Sequence, residues 1–408
     1  MQLLGMIVFL VMVLLDALIL QPFKVVFLAL IKLCWKPAVK YSKVVNVTNL
    51  AAPAKDYEQY YESSVNSALE DADGFKFLAI LAGTCDDYDT PDGRGPQLTK
   101  KLLDYISSNG IIGRYIVGHY DRYTAPTFSG DMLSGLLYWL SELVYRPECP
   151  FNYTQLRKLQ KLFEHNTFLM HDGGTSWKLP LVFWKAKVET ERTPFFDDRG
   201  KIYSLLGLGS QMFRTILWLE LAYSITDKFR YKFFAILLKI LFFPMLILDN
   251  GDPSFFIRTN YYISWYTTHS SAYVQTAYLV WLKNNPGISF YRWRLRSNLD
   301  LLQRRYPNNV NYKLLHEMYG RGKTGYTPIY LPPKGTHSNV YTEPYRNVLT
   351  GKRKWLTTTW LGLEFFGHPF VWENNLLSPL QCDTRRRTTQ CLDYILISFL
   401  SSRLASKK

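Results

Sequence analysis

Hydrophobic residues recur along most of the chain at the spacing of one helical face. Residues three and four positions apart lie on the same side of an α-helix, so this spacing predicts helices with one buried side. The spacing holds in five segments, at residues 98–106, 132–140, 156–163, 273–281 and 392–400. No segment alternates hydrophobic and polar residues convincingly over the length of a strand. The pattern therefore predicts a mostly α-helical fold.

The amino terminus differs from the rest because it is almost entirely apolar. Residues 2–23, QLLGMIVFLVMVLLDALILQPF, carry a single charge at Asp16. This segment exceeds the ~20 residues that a helix needs to cross a bilayer. A signal peptide is the competing interpretation, but no basic region precedes the segment and no small-residue cleavage site follows it. We therefore predict an uncleaved transmembrane anchor within residues 1–36.

The charges beside this segment predict its orientation. No basic residue precedes it, and five lysines follow it: Lys24, Lys32, Lys36, Lys40 and Lys43. Because basic flanks stay on the cytoplasmic side of a membrane, the rest of the chain is predicted to face the cytoplasm. The five cysteines are scattered and form no disulfide framework, which favours the same reducing compartment. The sequence thus predicts a single-pass membrane protein.

The remainder of the chain divides into a linker and one domain. Residues 37–62 lack a sustained hydrophobic period and predict a linker, whereas residues 63–408 predict a single α-helical domain. Long polar and aromatic loops separate its helices, at residues 83–97, 110–129 and 321–350. Loops of this length in a compact domain are usually functional, so they are the first places to look for a site.

Two stretches give this domain a resemblance to a known architecture. Residues 210–241 predict a helix, a short break at Ile-Thr-Asp-Lys and a second helix, and residues 260–282 predict one long helix. These stretches resemble the helical hairpins and inner-ring helices of (α/α)-toroid proteins, the six-hairpin glycosidase-like architecture. The remaining chain matches only by its number of helices, and the resemblance includes no catalytic motif. It implies a toroid-like domain with a central cleft.

A second apolar segment, residues 227–248, raises the question of another membrane contact. Two lysines lie near its middle, and a lysine at the centre of a span costs about 2.5–3.5 kcal/mol. Lys228, Lys232 and Lys239 fall within ~40° of one another on a helical wheel, which leaves the remaining face apolar. The pattern favours a core helix with one wet edge over a helix lying on the membrane interface, and favours both over a second span.

The charge of the chain bears on its partners. The formal net charge is +15 at pH 7, which suits either nucleic acid or anionic lipid. The sequence contains no zinc-ligand spacing, phosphate-binding loop or nucleic-acid-binding module. Membrane lipid is therefore the predicted partner, and no nucleic acid is expected.

The acidic loop at residues 83–97 is the first candidate site. Its sequence, GTCDDYDTPDGRGPQ, places Asp86, Asp87 and Asp89 close together. The spacing departs from the calcium-binding EF-hand loop, whose final glutamate is missing here. These aspartates are candidate catalytic carboxylates, and a turn built from Asp, Pro and Gly for backbone reasons is at least as well favoured.

Asp131 is the fourth candidate carboxylate. It follows Ser129 and Gly130 where the helix through residues 132–140 is predicted to begin. An acid in the first turn interacts with the free N–H groups and positive end of a helix, and this structural role is favoured. As a catalytic residue, Asp131 would supply one of the two carboxylates that glycoside hydrolysis requires.

The other candidates are polar and aromatic side chains predicted to bind substrate. They lie in three segments: His119, Tyr120, Arg122 and Tyr123; His171 and Asp172; and Trp265 and His269. A metal site would need a further ligand in a defined geometry, so no metal and no cofactor are predicted.

Two functions of different classes remain open. The first is a membrane-anchored, glycoside hydrolase-like protein that binds or acts on a glycan or glycan-lipid in a cleft lined by carboxylates and aromatic residues. The second is a non-catalytic scaffold or binding protein at the membrane surface. The sequence slightly favours the first. Because toroid folds serve enzymes and non-enzymes alike, the fold class alone does not decide between them.

Overall fold

The structure, a computed structural model, describes about half of the chain. The longer described segments are residues 2–20, 61–70, 74–110, 130–144, 151–167, 208–244, 261–285, 289–305 and 310–320, and isolated positions are described near residues 22–30, 112–116, 146 and 395–404. Within them the chain is mostly α-helical and forms no strand; a single bridge pairs Ile106 with Ile112. This confirms the predicted all-α class.

Eleven helices are named here among the described residues. They are α1 Gln2–Leu15, α2 Tyr61–Glu70, α3 Gly74–Thr84, α4 Arg94–Leu103, α5 Gly130–Leu143, α6 Tyr153–Thr167, α7 Leu208–Thr226, α8 Phe229–Leu241, α9 Tyr261–Asn284, α10 Ser289–Arg305 and α11 Val310–Tyr319. A π-helical turn, Asp16–Leu20, follows α1.

The hydrophobic stripes found in the sequence form the buried core. In α6 the buried stripe includes Leu159, Leu162 and Phe163, spaced three and four residues apart, as burial on one helical face requires. In α5, by contrast, every residue from Met132 to Leu143 is buried, and in α9 the same holds from Ala272 to Leu282. The 3.6-residue period therefore identified the buried face of α6, whereas these parts of α5 and α9 are buried on all sides.

Contacts between Cα atoms divide the chain into two compact units. Unit 1 comprises Met1–Lys36, Asp71–Asp252 and Tyr273–Pro286, and unit 2 comprises Pro37–Glu70, Pro253–Ala272 and Gly287–Lys408. The ring of hairpins and the domain boundary at residue 63 stay predictions.

Helices α3 and α5 form the tightest helix pair of unit 1. A Cβ atom on Gly135 of α5 would lie 2.7 Å from the carbonyl oxygen of Lys76 in α3. A Cβ atom on Gly83 would in turn lie 3.1 Å from the Cα of Trp139. The missing side chains therefore let the two backbones approach closely. Around them Tyr138 meets Tyr273 edge to face, with ring centroids 5.4 Å apart.

Helices α7 and α8 form the hairpin that the sequence predicted at residues 210–241. Only Asp227 and Lys228 separate them, and Asp227 has a φ of +55°, in the left-handed region that Asp tolerates better than most residues. Thr226 at the end of α7 donates its hydroxyl to Ala222 O at 2.6 Å. The predicted core role of α8 is confirmed for one face, where Tyr231 and Phe234 are buried.

The apolar amino terminus packs against this hairpin. The ring of Phe9 in α1 meets Phe234 of α8 edge to face at 4.9 Å, and Val13 is buried one turn further on. Among the described helices, none combines the length and the apolar composition needed to cross a membrane.

Unit 2 contains the hairpin of α10 and α11. Its apolar contacts include Leu295, Leu299 and Leu314, all buried. Near the carboxyl terminus, Phe399 stacks on Tyr61 of α2 with ring centroids 6.3 Å apart.

Candidate functional site

The acidic loop joins α3 to α4, and one of its carboxylates has a structural task. Asp87 accepts hydrogen bonds from the backbone N–H of Arg94 at 2.8 Å and of Gly95 at 3.0 Å, one on each carboxylate oxygen. These N–H groups belong to the first turn of α4, where helices have no internal acceptors. The N-cap residue Gly93 has no side chain to serve them. Asp87 therefore caps α4 from six residues away.

Tyr88 and two glycines hold the loop in shape. The Tyr88 hydroxyl donates to Ala82 O at 2.7 Å and lies 3.3 Å from Thr99 Oγ1. Any Cβ on Gly95 would overlap the Tyr88 ring, and one on Gly93 would overlap the carbonyl oxygen of Asp87. The turn thus requires glycine at both positions, and the predicted backbone-driven turn is present.

Asp86 points away from this cap and meets a cation. Its carboxylate lies 3.8 Å from the Arg146 guanidinium and is 55% exposed. Arg146 also stacks over the Tyr88 ring, 4.8 Å from the centroid. Asp89 is exposed as well. All three predicted carboxylates of this loop are exposed, and Asp87 differs from Asp86 and Asp89 in capping α4.

Cys85, at the start of the loop, is a poor nucleophile. Burial raises the pKa of its thiol well above the usual value, and the nearby Asp87 carboxylate raises it further. Burial likewise raises the pKa of the Tyr88 hydroxyl. Both groups stay neutral at physiological pH, which excludes the thiolate that nucleophilic catalysis would need. In the part of the chain described, no cluster of three His, Cys, Asp or Glu residues could hold a metal ion.

We expect Asp87→Ala to lower the free energy of unfolding by about 1 kcal/mol, because two N–H groups of α4 lose their acceptor. The matched control is Asp89→Ala, which removes an exposed carboxylate from the same loop and should leave stability unchanged. Urea unfolding of the purified full chain, followed by circular dichroism, measures both variants. Equal stabilities for the two would contradict the capping role.

The other predicted site residues are only partly visible. Asp131 lies in the first turn of α5, as predicted, but its side chain is outside the described residues. Trp265 and His269 lie in α9, and the same holds for their side chains. Also outside the described residues are His119, Tyr120, Arg122, Tyr123, His171 and Asp172. A common cleft for these residues and the acidic loop stays a prediction.

A second charged cluster, which the sequence did not predict as a site, lies in the α7–α8 hairpin. Glu220 of α7 is fully buried. One of its oxygens pairs with Lys232 Nζ at 2.9 Å, and the other pairs with Lys239 Nζ. Two ammonium groups therefore share one buried carboxylate. We call these three residues the Glu220 cluster.

Aromatic rings complete the surroundings of the two lysines. Lys232 Nζ lies 5.6 Å from the ring centroid of Tyr223, and Lys239 Nζ lies 5.4 Å from that of Trp281. Cations over aromatic faces gain about 0.5–2 kcal/mol, more when desolvated. Burial lowers the pKa of Lys239, the like charge of Lys232 lowers it further, and the Glu220 carboxylate opposes both effects. The Glu220 carboxylate thus favours the charged form of Lys239, which burial disfavours.

The signal for this cluster was present in the sequence but incomplete. The three lysines on one wheel edge of residues 227–248 were recognised, whereas Glu220 is a lone acid in the apolar run TILWLELAY. An acid buried in such a run needs a cationic partner. Its partners Lys232 and Lys239 lie on the next helix, directly after the hairpin break.

Unit 2 contains a separate His–Asp pair. His316 Nε2 in α11 lies 2.8 Å from Asp300 Oδ1 in α10, and the histidine side chain is 6% exposed. Its Nδ1 atom is buried and has no hydrogen-bond partner among the residues that the structure describes. Gly320, whose N–H bonds to His316 O at 2.7 Å, closes the turn beside this ring. The carboxylate orients the imidazole, but no nucleophile is found beside it among the described residues.

Exposed apolar side chains form a further unusual feature of unit 1. The outward face of α1 and the turns after it includes Leu3, Ile7, Leu14, Leu18 and Ile19, each between 38% and 70% exposed. One face of α8 is exposed in the same way. Soluble monomers rarely leave such a series of large apolar residues in water. These faces are therefore candidates for contact with a membrane or a partner.

Comparisons with known proteins do not assign the chain to a family. No protein-family model matches it, and neither curated proteins nor solved structures give a significant match.

Proposed function

We propose that the protein works at a membrane and is held there by its apolar amino-terminal segment. The supporting observation is the two-sided character of α1. Phe9 and Val13 are buried, with Phe9 against Phe234 of α8, whereas the opposite face presents aliphatic side chains to the surroundings. Burying each of these in an apolar phase contributes about 1.5–3 kcal/mol. Several such residues together exceed what a reversible surface contact requires.

The charges next to the segment support an orientation in which the helical units face the cytoplasm. The five lysines after residue 23 would stay on the cytoplasmic side, so the helical units would face the cytoplasm. The +15 net charge adds attraction to anionic lipid on that face. The segment serves as the anchor, and the helical remainder carries the activity.

Fractionation of cells that express the full chain tests this proposal. We expect the protein in the membrane pellet, and we expect the double variant Ile7→Asp, Leu14→Asp to leave it, because a buried charge costs about 2.5–3.5 kcal/mol at the centre of a span. Tyr153→Asp, at an exposed position of α6 in the same unit, is the control and should stay bound. A wild-type chain in the soluble fraction, or membrane binding unchanged in the double variant, would contradict the proposal.

The second part of the proposed function is that the protein binds or acts on a glycan or glycan-lipid. The observation that favours it is the acidic loop, where Asp86 and Asp89 face solvent on a turn fixed by the Asp87 cap. Glycoside hydrolysis uses two carboxylates set at a defined separation, and a rigid turn is a suitable place for one of them. Asp131 at the start of α5 is proposed as the other. A non-catalytic scaffold remains the alternative.

Asparagine variants, tested for glycan binding and glycan hydrolysis, distinguish a catalytic carboxylate from a structural one. If Asp89 or Asp131 acts as an acid or base, its change to asparagine should reduce turnover about 10²-fold or more while stability is kept. Asp92→Asn, at another exposed acid of the same loop, is the matched control and should retain activity. Unchanged binding and turnover in Asp131→Asn would leave Asp131 as a helix-start residue, since asparagine caps about as well.

A further inference from the structure

Helix α8 has an exposed apolar stripe. Its members lie at successive spacings of four, three, four and three residues, and each is between 40% and 69% exposed: Phe229, Phe233, Ile236, Ile240 and, in the turn after the helix, Phe243. At 100° per residue these positions fall within about 80° of one another, on one side of the helix. The opposite side carries Tyr231, Phe234 and Leu238 into the core. Helix α8 is therefore apolar on two opposite faces, and one of them is uncovered.

Basic side chains line one edge of this stripe. On the helical wheel, Lys228, Lys232 and Lys239 lie between the exposed stripe and the buried face. Lys228 pairs with Glu164 of α6, and the other two share Glu220. Three ammonium groups thus meet two carboxylates, which leaves the edge with a positive charge beside an apolar surface.

Helix α1 does not cover the stripe. Phe9 of α1 meets Phe234, which lies on the buried side of α8 opposite the stripe. Two neighbouring helices of unit 1 thus each present an uncovered apolar face. A helix with an apolar face and basic residues at its border is the pattern of a segment lying in a membrane interface.

We propose that α8 is a second membrane-contacting element, which lies along the surface of an anionic bilayer with its stripe in the acyl-chain boundary and its lysine edge against lipid phosphates. The inference rests on the proposed membrane attachment through α1. Charge complementarity favours anionic lipid as the occupant, because the edge and the whole chain are basic. At 13 residues α8 is shorter than the ~20 that spanning requires, so it lies along the membrane.

The test places an environment-sensitive fluorophore at single positions of the full chain, reconstituted into vesicles of phosphatidylcholine and phosphatidylglycerol. Engineered cysteines at Ile7, Ile240 and Tyr153 carry the label, in a background without the five native cysteines. Lipids with a spin label in the acyl chain act as quenchers. We expect quenching at Ile7 and Ile240, and none at the exposed control position Tyr153 of α6. Circular dichroism checks that each labelled chain is folded, and a photocrosslinking residue at Ile240 of the native-cysteine chain provides the second measurement.

The outcomes separate the two proposals. Quenching at Ile7 without quenching or lipid crosslinks at Ile240 would overturn the role of α8 and leave the α1 anchor in place. Absence of quenching at both positions would overturn both. A probe at Ile240 that is already in an apolar environment before vesicles are added, and is not quenched by lipid, would show that a second copy of the chain covers the stripe, which also overturns the inference.

Vesicle composition tests the lysine edge. In the Lys228→Gln variant we expect the equilibrium between lipid-contacting and solvent-exposed Ile240 probe to shift about fivefold towards solvent, which corresponds to the ~1 kcal/mol of one lysine near an anionic surface. The shift should vanish in pure phosphatidylcholine. Lys100→Gln, at an exposed position of α4, is the charge-matched control and should give no shift. An equal shift in both variants would show a general charge effect and overturn the headgroup contact.

Discussion

Replacing Glu220 with glutamine is expected to lower the free energy of unfolding by about 3–5 kcal/mol, the range found when one partner of a buried ion pair is removed. The substitution keeps the size of the side chain and most of its packing. What it removes is the charge that holds Lys232 and Lys239 beside the aromatic rings of Tyr223 and Trp281. Lys239 cannot reach bulk water freely, because its side chain is only 16% exposed. Lys232 is one-third exposed and should relax towards solvent, so Lys239 accounts for most of the loss.

An exposed ion pair in the same unit provides the control. Lys228 pairs with Glu164, but their side chains are 46% and 31% exposed, so Glu164→Gln should cost only about 0–1 kcal/mol. Thermal unfolding of the full chain, measured under identical conditions for both variants, should show the larger fall for Glu220→Gln. A variant in which Glu220, Lys232 and Lys239 are all replaced by Leu or Met should recover much of the stability, because a well-packed apolar group needs no partner. Equal midpoints for Glu220→Gln and Glu164→Gln would contradict the importance of the buried cluster.

The Glu220 cluster also gives stability a dependence on pH. Because burial lowers the pKa of Lys239 in the folded chain, the unfolded chain binds more protons between that lowered pKa and the usual value of 10.5. Stability therefore rises with pH through this window as the buried lysine loses its charge. In Glu220→Gln the carboxylate no longer opposes the shift. The rise should then begin at a lower pH.

The sequence was sufficient for the helices and their buried faces because both depend on local patterns. The α7–α8 hairpin is an example: apolar periodicity predicted both helices, and the polar break Ile-Thr-Asp-Lys predicted the turn in which Asp227 has a positive φ. The buried stripe of α6, with Leu159, Leu162 and Phe163, follows from spacing alone in the same way. Such features need no information about distant parts of the chain.

The roles of the acidic loop could not be separated from sequence. Asp86, Asp87 and Asp89 are chemically alike and nearly adjacent, yet only Asp87 reaches the N–H groups of α4. That difference depends on the backbone path through Gly93 and Gly95, where the carbonyl oxygen of Asp87 and the Tyr88 ring, respectively, leave no room for a side chain. Sequence gives composition and spacing, whereas capping is decided by the direction in which each carboxylate points.

The exposed face of α8 shows a different limit. The apolar composition of residues 227–248 predicted mainly a core helix. The structure confirms this for one face, where Tyr231, Phe234 and Leu238 are buried. A helix that is apolar on both sides gives little periodic signal, so the sequence could not show which face remains uncovered. The three lysines were predicted to form a wet edge, but two of them pair with the buried Glu220, and the side chain of Lys239 is only 16% exposed.

We also expect Gly135→Ala to destabilise the protein by about 1–3 kcal/mol, the usual cost of overpacking a close helix contact. The added Cβ would lie 2.7 Å from Lys76 O and 2.9 Å from Lys76 Cα. These are backbone atoms of α3, so the clash is relieved only if α3 and α5 move apart, which loosens the contact of Tyr138 and Trp139 with Gly83. The gain of about 1 kcal/mol in helix propensity from alanine offsets part of this loss.

Gly83→Ala is the matched control, because it introduces the same methyl group on the other helix of the α3–α5 pair. Its Cβ would lie 3.1 Å from the Tyr138 ring and from Trp139 Cα, so these neighbours would have to shift by a few tenths of an ångström, less than Lys76 must shift for Gly135→Ala. The fall in the urea midpoint should therefore be smaller than for Gly135→Ala. If Gly135→Ala were as stable as Gly83→Ala, the backbone contact at Lys76 could not be what fixes the spacing of the two helices. A greater loss at Gly135 would show that this approach, rather than glycine flexibility in a helix, is the reason for glycine there.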